Sequence, residues 1–178
     1  GSLHANPSGK VAHSFIGSYT DTAKAKELAL VQINQSKADI IHQVAGGAGL
    51  GVFEACKENG IWGIGVDADQ REFFIESKAD LADVILTSMM KRNDMSMEKA
   101  IRDTVAGTAE YGKLNMWGVA EGVTVLAKND FYKANVPQET QDYIDDLEKK
   151  IASGELVVKT VYGMEQDEFV SIRDSVKP

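Results

Sequence analysis

The stretch from Ala38 to Gln70, ADIIHQVAGGAGLGVFEACKENGIWGIGVDADQ, constrains the fold more than any other part of the chain. Ala38–Ala45 is apolar, too short for a globular helix and followed at once by glycines, which predicts a buried parallel strand. Gly46, Gly47, Gly49 and Gly51 allow a sharp turn and a close approach of backbone to a ligand. A helix from about Leu50 to Glu58 then returns the chain to a second buried strand, Trp62–Val66, which ends in Asp67, Asp69 and Gln70. Ligands of open α/β sheets bind beyond the carboxyl ends of the strands, so both polar clusters are expected on one rim.

The glycines do not make a full dinucleotide fingerprint. That motif requires G-x-G-x-x-G entering a helix and an acidic residue about 20 positions later. Gly47, Gly49 and Gly51 give G-x-G-x-G, with Asp67 at roughly the acidic position. The match is partial, and on the glycines alone a tight βα turn is the better account.

The segments QVAGGAGLGVFEA, IGVDADQ and LTSMMKR, in this order, resemble the basic-membrane-protein family of ABC-transporter solute-binding lipoproteins, whose members include purine-nucleoside binders. GSYTD near the start and NDFYKANVP fit the same family, so the resemblance runs from about Asn6 to Leu156. It implies one lobe of a type I periplasmic-binding-protein fold, a parallel-sheet α/β/α sandwich, and matches only the second, carboxyl-terminal lobe. The first lobe, with its signal peptide and lipid-anchor cysteine, has no counterpart here.

At 178 residues the chain suits a single α/β domain, and its 43% apolar and 26% charged composition is that of an ordinary globular protein. The net charge of −8 and the absence of a basic stripe argue against a nucleic-acid partner, and leave a neutral or cationic small ligand compatible. Cys56 is the only cysteine, so no intrachain disulfide or cysteine metal cluster can form, and it reads as a small core residue. No apolar run is long enough for a transmembrane helix. Gly1–His4 reads as a cloning scar, so the lack of a leader carries no information about location.

Elsewhere, Val11–Ser18 is expected as a first strand, and Thr22 to about Gln35 as a helix capped by Asp21. A fourth strand is expected at Asp83–Met90. A helix from about Ser96 to Ala106 would carry Met97, Ile101 and Val105 on one face. Asn115–Ala127 reads as a turn and buried strand. A helix starting at Val136-Pro137 would bury Tyr143, Ile144, Leu147 and Ile151 and end at Gly154. Leu156–Tyr162 reads as a final strand, and the polar tail Gly163–Pro178 has no assignment.

Among candidate binding residues, Asp67 ranks above Asp69 because it directly follows the strand. One carboxylate can accept both protons of a vicinal diol, and the resemblance implies that this acidic turn engages a sugar. It likewise implies that Lys91, at the next strand end, lies in the cleft, where it could donate to a hydroxyl and balance the acidic turn. Gly46, Gly47 and Gln70 complete the rim, and Tyr19 after the first strand could add a contact. His42 stands where the family, by this reading, commonly has a larger aromatic, a departure that puts purine preference in doubt.

No G-x-S-x-G elbow, H-E-x-x-H, C-x-x-C or EF-hand loop occurs. The resemblance implies a non-enzymatic, cofactor-free solute-binding component of an ABC importer. That role places it outside the cytoplasm, with a nucleoside or similar solute and a permease as partners. The alternatives are a Rossmann-like nucleotide-cofactor enzyme and a regulatory or interaction protein retaining the fold. A lobe surface without its partner lobe is also expected to self-associate.

Overall fold

Glycines and a period-two burial pattern set the geometry of the sheet. The computed structural model describes residues Gly1–Pro178. Its four-stranded sheet has the order β1 (Ile40–His42), β2 (Trp62–Asp67), β3 (Ile85–Lys91), β4 (Thr124–Leu126). β1, β2 and β3 run parallel, so His42, Asp67 and Lys91 all end at the same edge, while β4 joins antiparallel to β3. No helix is long and apolar enough to cross a membrane.

Helix α2 (Thr22–Ser36) starts where Asp21 Oδ1 accepts the Lys24 N–H at 2.9 Å, the expected cap. It packs on α3 (Gly49–Asn59) through small residues: Ala25 and Ala29 meet Ala48, Val52, Ala55 and Cys56 in one buried cluster with Ile41 and Ala45. Gly51 makes this contact possible, because a Cβ there would overlap the Thr22 carbonyl oxygen. A second cluster, Phe53, Leu81 and Ile85, seals α3 against the short helix α4 (Ala79–Ala82) and β3.

Several elements differ from expectation. The predicted strand Ala38–Ala45 shortens to Ile40–His42 and is buried on one side only: Ile41, Gln43 and Ala45 point inward while Ile40, His42 and Val44 are exposed. Val11–Ser18 forms no strand. Its backbone holds to the far end of the chain through Val11 N–H donating to the Val176 carbonyl, Gln32 donates to Ser14 Oγ, and Phe15 is 86% exposed. A cavity of about 1050 Å³ is lined by this segment together with β1 and α2. Only Thr124–Leu126 of Asn115–Ala127 is strand. Leu156–Tyr162 is irregular, with Val157, Val158, Val161 and Tyr162 all exposed, because no neighbouring edge supplies a hydrogen-bond ladder.

The tail contains a helix, α8 (Gln166–Ser175), which its polar composition conceals. Helix α5 (Asn93–Ala106) begins earlier than expected, a single turn α1 (Ser2–Ala5) opens the chain, and α6 (Asp130–Asn135) is additional. Helix α7 (Gln138–Ala152) starts after Pro137, but its apolar stripe is incompletely covered: Tyr143 is exposed and Ile144, Leu147 and Ile151 are half-buried.

Candidate functional site

The rim is built at the carboxyl ends of three parallel strands. Asp67, the last residue of β2, takes a left-handed backbone (φ 71°), one of only two non-glycine residues to do so. Aspartate tolerates this region better than most side chains. Its Oδ1 lies 2.9 Å from Lys91 Nζ at the end of β3, and both side chains are more than half exposed. Asp67 stands opposite Met90 in the β2–β3 register, so Lys91 is one position further along the neighbouring strand.

The glycine turn closes one side. Gly46 (φ 55°) and Gly47 begin a 3-10 turn that leads directly into α3. The Tyr19 carbonyl accepts the Ala48 N–H at 2.8 Å, and the Tyr19 ring, 76% exposed, packs beside Gly46 where a Cβ would sit 3.5 Å from Cδ1. The Gly49 N–H is turned back to the carbonyls of Gly46 and Gly47. With the Ala48 and Gly49 amides engaged internally, this turn is a poorer cradle for a diphosphate than an open helix N-terminus.

His42 ends β1 on its exposed face, opposite Ile64 of β2. Partial burial of the ring pushes its pKa below the ordinary histidine value, and hydrogen bonding to the Gly65 backbone opposes the shift.

Asp69 and Gln70 are held differently from Asp67. Asp69 Oδ2 accepts from Asn129 Nδ2 at 2.8 Å, while Oδ1 is buried without a partner. Asn129 also caps α6 by accepting the Tyr132 N–H, so the acidic turn is tied to the β4–α6 junction. The Gln70 amide oxygen accepts from Gln43 Nε2 and from the Val66 N–H, and its own N–H donates to Ser88 Oγ at 3.1 Å. The following Arg71 lies 3.8 Å over the Phe131 ring and pairs with Asp83 at 3.1 Å, fastening the turn to α6.

The arrangement thus brings Asp67, Lys91, Gly46, Gly47, Tyr19 and His42 to one edge and turns the Gln70 oxygen and one Asp69 oxygen inward. The sequence reading missed Gln43, Ser88 and Asn129. Gln43 had a signal: it is a polar residue in the inward phase between Ile41 and Ala45. No cluster of three or more His, Cys, Asp or Glu side chains forms a metal site.

Comparison with known proteins gives a consistent result. The Bmp family, described as ABC transporter substrate-binding protein PnrA-like, matches residues 1–161. Basic membrane protein A of Borreliella afzelii is 31% identical over 161 residues, covering 89% of this chain and 46% of that protein. Basic membrane protein A1 of Borrelia garinii subsp. bavariensis is 32% identical, covering 89% and 44%. The chain therefore spans less than half the length of these relatives.

Among solved structures, ABC transporter system solute-binding proteins from Aeropyrum pernix K1 superpose with a TM-score of 0.70 at 23% identity, covering 92% of this chain and 50% of theirs. A transcriptional activator of the comK gene from Bacillus halodurans gives 0.66 at 24% identity, covering 82% and 47%. These structural likenesses establish the fold.

Proposed function

The chain belongs to the Bmp family of PnrA-like ABC transporter substrate-binding proteins, and from that premise we propose that it forms one wall of a nucleoside-binding cleft closed by a second lobe. The observation that carries this reading is the exposed Asp67–Lys91 pair at the ends of β2 and β3, beside a glycine turn backed by an exposed tyrosine ring. A carboxylate with free lone pairs accepts the two protons of a ribose diol, and an adjacent ammonium donates to a hydroxyl oxygen. Tyr19 offers a flat apolar surface for a base, and Gly46 and Gly47 let the ligand approach the backbone. His42 adds a smaller ring at the same edge, which narrows any preference for a large base.

In this reading no bond is made or broken. Two lobes close about a hinge, exchanging hydration for hydrogen bonds and stacking. The loaded protein, acting outside the cytoplasm, hands its solute to an ABC permease. The internally engaged amides of the glycine turn weigh against a nucleotide-cofactor enzyme. Calorimetric titration of purine and pyrimidine nucleosides into a two-lobed protein carrying this segment tests the proposal. Micromolar binding that Asp67→Ala weakens supports it; binding indifferent to Asp67 rejects it.

A second surface favours self-association through another copy of the chain. Met97, Ile101 and Val105 form an exposed stripe on α5, with Glu98 and Arg102 paired along its flank. Antiparallel packing of two such helices would bury both stripes and set Glu98 of one near the partner's Arg102, since a two-fold axis makes the patch self-complementary. Sedimentation of the wild type against Ile101→Glu tests this: a dimer lost in the variant supports it, and a monomeric wild type at high concentration rejects it.

A further inference from the structure

The inward-turned residues of the rim form a directional network that includes Gln43. Gln43 is 3% exposed and Ser88 is fully buried, an unusual depth for polar side chains that touch no bulk water. The orientation of both glutamine amides is settled by backbone donors. The Ala45 N–H donates to Gln43 Oε1 at 3.0 Å, so Gln43 must present Nε2 to Gln70. The Val66 N–H donates to Gln70 Oε1 at 2.9 Å, so that oxygen receives both donors. Ser88 Oγ, on β3, takes the Gln70 N–H.

Gln70 is thereby fastened to β2 through Val66, to β3 through Ser88 and, through Gln43, to the residue that follows β1. The surrounding backbone is shaped for it: a Cβ on Gly49 would collide with the Gln43 amide, and a Cβ on Gly65 would collide with Ser88 Oγ and crowd Gln70 Oε1.

Asp67 lies between the two anchored points, Val66 and Gln70, and carries the left-handed backbone. Such a conformation in a residue with a Cβ persists only when its surroundings enforce it. We propose that Gln43 and Gln70 are positioning residues: their amide clamp holds Asp67 left-handed and aims its carboxylate outward at Lys91 and the rim. The clamp is a statement about the protein alone. What the carboxylate is aimed at rests on the nucleoside reading above.

The chemistry at the two positions is asymmetric. Position 43 must accept from Ala45 and donate to Gln70, which an ionised carboxylate cannot do. Position 70 uses its oxygen only to accept, which a carboxylate can do. At a pH where both introduced carboxyls are ionised, Gln43→Glu therefore breaks the clamp and Gln70→Glu preserves it. In the full chain without ligand, two NMR readouts report on it: Asp67 Cα and Cβ shifts, and Val66 amide exchange relative to the buried helix residues Phe53 and Cys56.

Gln43→Glu is expected to speed Val66 exchange at least tenfold and move Asp67 out of its left-handed signature. Gln70→Glu should stay within twofold of wild type on both measures. If Gln43→Glu does not fold, Gln70→Met, similar in length but without the amide acceptor, should show the same loss. Equal behaviour of the two glutamate variants overturns the clamp, as does an unmoved Asp67 in both Gln43→Glu and Gln70→Met.

Titration of adenosine and 2′-deoxyadenosine into a two-lobed protein carrying the wild-type or the variant segment separates the two proposals. A wild type blind to the ribose 2′-hydroxyl sinks the diol reading and leaves the clamp standing. Wild-type discrimination retained by a clamp-broken variant overturns the aiming role.

Discussion

Asp67 Oδ1 and Lys91 Nζ are 2.9 Å apart at the ends of adjacent parallel strands, with both side chains more than half exposed. An exposed pair of this kind contributes only about 0–1 kcal/mol to stability, because water screens it and two side chains lose freedom. Stability therefore gives little reason to hold an aspartate in a left-handed backbone at that point. Presentation of a carboxylate and an ammonium at one rim is the stronger account.

Asp67→Ala, in a two-lobed protein carrying this segment, is expected to weaken ribonucleoside binding by about 1.5–3 kcal/mol, the scale of hydrogen bonds to a charged group. A 2′-deoxyribonucleoside should lose less. Calorimetry with both ligands measures the difference, and equal losses would show that the carboxylate does not read the diol.

The 178-residue chain alone is expected to bind nucleosides at about millimolar Kd or weaker. Good small-molecule sites bury roughly 70–90% of their ligand, and one wall of a cleft buries much less. Submicromolar binding by the monomeric chain would show that a complete pocket exists within it.

Gly51→Ala is expected to destabilise the fold by about 3 kcal/mol, at the upper end of the usual overpacking range. The added methyl meets the backbone oxygen of Thr22, which cannot rotate away as a side chain can. Urea denaturation of the variant beside Gly60→Ala checks this. At Gly60 nothing crowds a Cβ, and the cost there comes from the positive φ alone.

His42 should impose an acid-side loss of stability. Its pKa is lowered in the folded state, chiefly by partial burial. The folded protein thus favours the neutral ring, and this contribution is fully present above the ordinary histidine value. It declines as pH falls through the folded value. Denaturant midpoints between pH 7.5 and pH 5 should fall less steeply in His42→Gln than in wild type, and parallel curves would count against it.

Cys56 should resist thiol reagents in the native state. It is fully buried, and burial raises its thiol pKa to about 11, leaving little thiolate at neutral pH. Labelling by an aromatic disulfide should become rapid only in denaturant. Prompt labelling of the folded chain would mean that α2 and α3 separate readily.

What the sequence determined by itself lies where short-range chemistry is decisive. Asp21 before an amphipathic run and glycines between two apolar segments each act within a few residues, so α2, the glycine turn, α3 and β2 were legible from Ala38–Gln70 and its surroundings. The family membership was carried by the same local segments. Tertiary structure alone decided which apolar segments became strands. Val11–Ser18 and Leu156–Tyr162 have the composition of strands, yet each lacks a paired edge, and strand formation depends on a neighbour more than on intrinsic preference. It also decided the division of labour in the acidic turn. Asp67, Asp69 and Gln70 are nearly adjacent in sequence, but Asn129, Gln43 and Ser88 reach the latter two from elements 60, 27 and 18 residues away. Long-range hydrogen bonds of that kind leave no local pattern to read, because they exist only once the strands are side by side.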